Sequence, residues 1–397
     1  MIRLPSRIHI GRLAVAFIAS IVVVGLVESM LAGDSGSVFG TNNDAKNLAR
    51  MICGAQIECV NPNGAMTRAS QRMIQDPATA ALIMEDQTVS RSLENGETIF
   101  IVTLPRISVL NRFAFLNENA AARGQVQVSV SNYRLSPKSS QWNEVSPGVS
   151  FNGKRIVDLF IPGVEAKYVR LSFRVEKEGR IAAIGLYGSE TLERFGVQQA
   201  QIIEAKGGFR SVRLKDSINF NFANLYAKAR IVYVSSGDLP RARRMIDDDT
   251  ATTFRFSPND PHPTVIVELA GSEQLHRAST IYKMQPGRLD VYLLNEFPSD
   301  PKNLGHLTPI ASVKDAAANG KAAADFEVQD ARYVALRWTP DDQTSIGDGF
   351  EVAEIGAFGG VPLSLLQVSD APVLYADNLD TAVTVPPNPP VLPVVTP

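Results

Sequence analysis

Cysteine and histidine are scarce in this chain of 397 residues, which holds two and four of them respectively. His9 falls inside an apolar N-terminal segment, so a multi-ligand zinc, haem or iron–sulfur centre has almost nothing to be built from. An excess of one charge is also missing: 39 Lys and Arg stand against 41 Asp and Glu, for a formal net charge of −2. Without a broad cationic face, nucleic acid is excluded as a partner. The remaining composition, 45% hydrophobic and 20% charged, belongs to a folded chain long enough for about two or three domains.

Long hydrophobic runs are limited to the N-terminus, where Arg3, Arg7 and Arg12 precede the uncharged stretch Leu13 to Val27. Fifteen residues make about 22 Å of helix, short of the roughly 30 Å hydrocarbon core. Residues 1–32 therefore read as an export signal or, if uncleaved, as a membrane anchor, and the protein is expected in the periplasm or outside the cell. The first cysteine, Cys53, lies too far downstream for a lipid anchor. In an oxidising compartment Cys53 and Cys59 are expected to pair across their short loop, within a linker spanning 33–65. A redox role would call for Cys-x-x-Cys spacing, which is absent.

What the chain has in abundance is strand pattern. From Ile99 onward, short β-branched and aromatic runs such as IFIVTL and QVQVSV alternate with Gly, Pro, Asn and Ser. Four blocks recur in the same order at offsets of about 163 to 171 residues: TIFIVTL with TVIVEL, QVQVSV with RLDVYL, KYVRLSF with RYVALRW, and IAAIGLYG with VAEIGAFG. The expected organisation is all-β, with one domain at 66–189, a connector at 190–207 with one or two helical turns, and a second copy at 208–360. The tail 361–397 has six prolines in its last twelve residues and is expected to act as a polyproline spacer or a docking peptide.

In the second half, Ser235-Ser236 is followed by Asp247-Asp248-Asp249-Thr250-Ala251-Thr252-Thr253-Phe254, then TVIVEL, RLDVYLLN, ARYVALRW and EVAEIGAFG. This order resembles the discoidin, or coagulation-factor C-type, family of galactose-binding-like domains across nearly the whole second copy and more faintly across the first. The resemblance implies tandem jelly-roll β-sandwiches. It also implies a structural calcium in the second copy only, with candidate ligands Asp247, Asp249, Thr252 and Glu354. Asp248 replaces the family's glycine, and Asp is among the residues that tolerate a left-handed backbone. In the first copy the corresponding loop runs from Glu85 to Ser90 and Ala183 takes the place of Glu354, so that copy is expected to have lost the ion.

Sugar binding on such folds uses loop aromatics to stack on pyranose rings and polar side chains to take the hydroxyls. The candidates are Arg255, Phe256, Asn259, His262 and Tyr282 in the second copy and Trp142 in the first, while Phe254, Tyr333 and Trp338 read as core. Enzyme-like strings fail on context. Gly33-Asp34-Ser35-Gly36 follows the export segment with no histidine motif around it, and the Gly148–Lys154 string continues into Arg155 and a strand. The expectation is an exported, non-catalytic protein binding a glycan or another envelope component through sandwich loops. The alternatives are a structural assembly protein and the accessory subunit of a polysaccharide-processing system.

Overall fold

The computed structural model describes residues 46–71, 73–190, 218–341 and 349–362. The N-terminal segment 1–32, expected as an export signal or anchor, most of the connector and nearly all of the Pro-rich tail lie outside the described residues.

The first half contributes β1 (Lys46–Asn47), β2 (Gln56–Val60), β3 (Met66–Ser70), β4 (Met73–Ile74), β5 (Arg91–Leu93), β6 (Gly96–Asn117), β7 (Arg123–Ser131), β8 (Asn143–Ser150), β9 (Ile156–Lys177) and β10 (Gly179–Glu190). The second contributes β11 (Phe220–Asn221), β12 (Arg230–Val234), β13 (Phe254–Arg255), β14 (Thr264–Tyr282), β15 (Gly287–Leu294), β16 (Ala311–Asp315), β17 (Lys321–Pro340) and β18 (Glu351–Gly359). One short helix, α1 (Pro77–Ala81), starts on Asp76, whose side chain accepts the Ala78 amide at 2.9 Å, with Pro77 in the first turn where no amide is needed. The strands join in two antiparallel systems of ten and eight, one per half.

Each system folds into two layers because its longest strands bend. The first part of β6 pairs with β2 and the end of β9, and its second part pairs with β10 and the start of β9. The change of layer falls at the register shift between Thr103 and Ser108, where Pro105 has no amide to offer a ladder. In β14 the shift lies between Glu268 and Glu273. Alternating side chains of both layers then meet in a closed interior. Phe100, Phe113, Phe115, Phe151 and Phe173 interlock in the first core, and Tyr282, Trp338, Phe350 and Phe256 in the second. The fold is thus an all-β, two-domain β-sandwich.

The registers of the two halves correspond. Val102 faces Val169 as Val267 faces Val334, and Val128 faces Leu171 as Val291 faces Leu336. The correspondence begins earlier than the sequence blocks. Asn47 accepts the amides of Ala49 and Leu186, both at 3.1 Å, and Asn221 accepts those of Ala223 and Ala357 at 3.0 and 2.9 Å. Residues 46–65, expected as linker, therefore supply two strands of the first sandwich.

The expected disulfide is corrected: Cys53 and Cys59 are both free thiols. Strand alternation turns Cys59 into the core beside Ile57, where burial raises its pKa to about 11. Cys53 ends a 3-10 turn closed by Gly54, and burial raises its pKa against the opposing influence of Lys46. Among the described residues no helix is long and apolar enough to cross a membrane.

Candidate functional site

The acidic loop of the second sandwich follows a 3-10 segment, Leu239–Met245, and reverses on Asp248, whose φ of +64° is the left-handed conformation expected for it. Asp247 accepts the Asp249 amide at 3.2 Å and the Thr252 hydroxyl at 2.9 Å. That hydroxyl also lies 3.2 Å from the Asp249 carbonyl and 3.4 Å from the Arg244 carbonyl, so one proton faces three oxygens. Glu354 arrives from β18, 4% exposed; its Oε1 takes the Asp248 amide at 3.3 Å and its Oε2 is buried without a partner. Burial, and then the neighbouring carboxylates, lift the Asp247 pKa to about 8 and the Glu354 pKa well above the usual range.

Crowded oxygens, an orphaned carboxylate oxygen and two carboxyls held against ionisation are features that a bound hard cation would relieve. Among the described residues no group of three or more His, Cys, Asp or Glu side chains is placed to hold a metal. A cation here would therefore draw on the hydroxyl and carbonyls as well as on Asp247 and Glu354. Asp249 could offer only its carbonyl, because its carboxylate accepts the Ala251 amide at 3.0 Å and pairs with Arg112.

The same loop is the junction between the sandwiches, a role the sequence reading missed. Arg50, 3% exposed, grips the Asp248 carboxylate with three contacts of 2.6 to 3.0 Å and donates to the Met84 carbonyl at 2.7 Å. Gln87 adds a bond to Asp248 at 2.7 Å, and the Tyr187 hydroxyl donates to its carbonyl at 3.2 Å. Arg112 pairs with Asp249 while Arg277, its counterpart in register, pairs with Asp86 at 2.7 Å. Leu116 and Ala182 meet Ile281 and Ala353 in a small apolar patch that includes Ala183. Arg155 donates to the Tyr282 and Gly320 carbonyls at 2.7 and 2.6 Å. The signal that could have revealed Arg50 is the pair of strings Asn47-Leu48-Ala49-Arg50 and Asn221-Phe222-Ala223-Asn224.

The proposed sugar contacts divide. Phe256 and Tyr282 are each 1% exposed and belong to the aromatic core; the Tyr282 hydroxyl donates to Asp315 at 2.7 Å. They are corrected from ligand contacts to core, because the chain at each position turns inward from the end of a strand. Trp142, 7% exposed, covers the outer face of the first sandwich with Ile99, Ile101 and Leu135, and its ring N–H donates to the Ser136 carbonyl at 2.8 Å. It is likewise corrected to a lid.

Arg255 closes β13, and Asn259 and His262 lie in the loop that follows it, before β14. Asp260 frames that loop by accepting the hydroxyls of Ser235 and Ser236 and the His262 amide, the last two at 2.6 and 3.1 Å. Arg255 and Asn259 are exposed, Arg255 pairing with Glu351. His262 is half-buried, its Nδ1 has no partner, and burial and then Arg337 lower its pKa.

No family model matches the sequence, and no curated protein matches it. Among solved structures, an allantoicase is 12% identical with a TM-score of 0.29, over 81% of this chain and 96% of that one. A fucolectin from striped bass (Morone saxatilis) serum is 13% identical over 80% and 99% of the two chains, with a TM-score of 0.27. Chitosan-binding module 1 of a chitosanase/glucanase from Paenibacillus sp. IK-5 is 16% identical over 36% of this chain and 99% of that one, with a TM-score of 0.29. These are distant likenesses, and none of them assigns an activity.

Proposed function

We propose that the chain is an exported, non-catalytic binding protein made of two copies of one galactose-binding-like module, and that the second copy recognises carbohydrate. The observation that carries this reading is the loop from Arg255 to His262. Asp260 ties its His262 end to Ser235 and Ser236, which leaves less to order on binding, and Arg255 and Asn259 are exposed in the same segment. Guanidinium, amide and imidazole groups suit vicinal hydroxyls. With Phe256 in the core, affinity rests on hydrogen bonding more than on ring stacking and is modest at each site.

We further propose a structural calcium held by Asp247, Thr252, Glu354 and the carbonyls of Arg244 and Asp249, which would lock the acidic loop against β18. The first half has Ala183, packed in the apolar junction, where Glu354 stands in the second, and takes no ion.

The test is an array of bacterial and plant polysaccharides probed with the full chain and with an Arg255→Ala/Asn259→Ala/His262→Ala variant. Binding to at least one neutral or acidic polysaccharide is expected, with about a tenfold loss or more in the variant. A silent array would favour assembly through exposed apolar groups such as Phe160 and Tyr133, 75% and 74% exposed.

A further inference from the structure

A second concave surface lies away from the Arg255–His262 loop. It is a cleft of about 330 Å³ lined by Thr88 of the first sandwich and by Arg277, Lys314, Asn319, Lys321 and Ala323 of the second, with Val313, Asp315 and Ala322 completing it. Its size is at the lower end of small-molecule sites and suits one or two sugar rings.

The cleft is rich in donors, and its acceptors are spent. Asp315, the carboxylate in its wall, is 4% exposed and already receives the Tyr282 hydroxyl at 2.7 Å, the Asn319 and Gly320 amides at 2.9 and 3.0 Å, and the Asn319 side-chain amide at 3.2 Å. Arg277 and Lys321 are held in place across the junction. Arg277 binds Asp86 at 2.7 Å and Asp325 at 2.9 Å, and Lys321 binds Glu118 at 2.7 Å and the Thr88 carbonyl at 3.2 Å. Lys314 differs from both: it is 67% exposed, and its nearest carboxylate, Asp341, is 3.9 Å away and itself open to water. The cations of the rim are thus paired at close range except at Lys314, whose partner Asp341 is 3.9 Å away; Ala322 and Val313 pack against the second core, and Ala323 is the half-buried apolar side chain left beside the rim.

We propose that this interdomain cleft binds an acidic sugar residue, with its carboxylate on Lys314, its hydroxyls on Asn319, and the less polar face of its ring on Ala323. A neutral sugar would make no ion pair with Lys314, and a small inorganic anion bound there would make no use of Ala323. The inference deepens the carbohydrate-binding reading and rests on it, but it places the acidic residue at the junction and not on the Arg255–His262 loop.

Titration calorimetry of the full chain with an oligoglucuronate and with a neutral gluco-oligosaccharide of equal length tests it, at low and at high salt. The uronate should bind more tightly, lose affinity with salt, and lose about tenfold in Lys314→Met. Lys302→Met, which removes an exposed cation elsewhere, should leave binding unchanged. Ala323→Trp, checked by its thermal melt, should block the cleft without touching a charge. If Lys314→Met binds as well as the parent while the Arg255/Asn259/His262 variant does not, the cleft is wrong and carbohydrate binding stands. If inorganic phosphate competes as effectively as the uronate, the sugar assignment falls. If neither oligosaccharide binds, the cleft is wrong, and the polysaccharide array decides separately whether the reading beneath it stands.

Discussion

At the scale of single residues, Arg50 carries the greatest consequence. Burial works against its charge, yet the Asp248 carboxylate outweighs that penalty and holds the guanidinium ionised. Deleting one partner of such a pair strands the other charge out of water. Arg50→Met is expected to lower stability by roughly 3–5 kcal/mol in urea unfolding, and adding Asp248→Asn should restore part of the loss. Glu85 makes a different prediction. It is buried, accepts the Asn221 amide at 2.6 Å, and burial lifts its pKa to about 8 from an ordinary 4.5. Between those values the folded chain holds a proton that the unfolded chain has released, so stability is greatest at the acidic side and falls as pH rises toward about 8. Glu85→Gln should flatten that slope in melts taken across the window; an unchanged slope would remove Glu85 as its source.

At the scale of elements, the strand blocks were legible because alternation over a two-sided core leaves a period of two. QVQVSV falls in β7, RLDVYL in β15, RYVALRW in β17 and VAEIGAFG in β18. Short pieces were not legible: β1 has two residues, and what fixes it is Asn47 reaching the Leu186 amide across 139 positions. The element ends were also where the aromatic assignments went astray, since the pattern around Phe256 and Tyr282 does not tell a loop from the last inward step of a strand. One turn is tightly specified. Gly320 has a φ of +70°, and a β-carbon there would come within 2.6 Å of both the Arg155 guanidinium and the Tyr282 carbonyl. Gly320→Ala should cost about 1–3 kcal/mol in equilibrium unfolding by backbone strain alone, and more if Arg155 is displaced from its two carbonyls.

At the scale of the whole molecule, the two sandwiches meet through corresponding surfaces. The pairs Arg112–Asp249 and Arg277–Asp86 are reciprocal, and the apolar patch draws Leu116 and Ala182 from one side and Ile281 and Ala353 from the other. That is the self-complementary arrangement of a two-fold interface, here between halves of one chain. The proposed calcium lies beside this junction, so its removal should be felt by the whole fold. Chelator is expected to lower the melting temperature by several degrees, roughly what loss of a ligand at a hundred times its Kd produces. Glu354→Gln should abolish the response, and an identical melt with and without chelator would remove the ion from the account.

The sequence by itself determined the class of fold and the strand blocks, because these depend on local alternation, while the link between the acidic loop and its distant glutamate was implied by the family resemblance. Only the tertiary structure decided that Cys53 and Cys59 stay apart, that Phe256, Tyr282 and Trp142 are covered, and that the acidic loop is shared with the first sandwich. Arg50 and Asp248 are 198 residues apart. Their pairing follows from how two finished surfaces dock, and no local pattern records that.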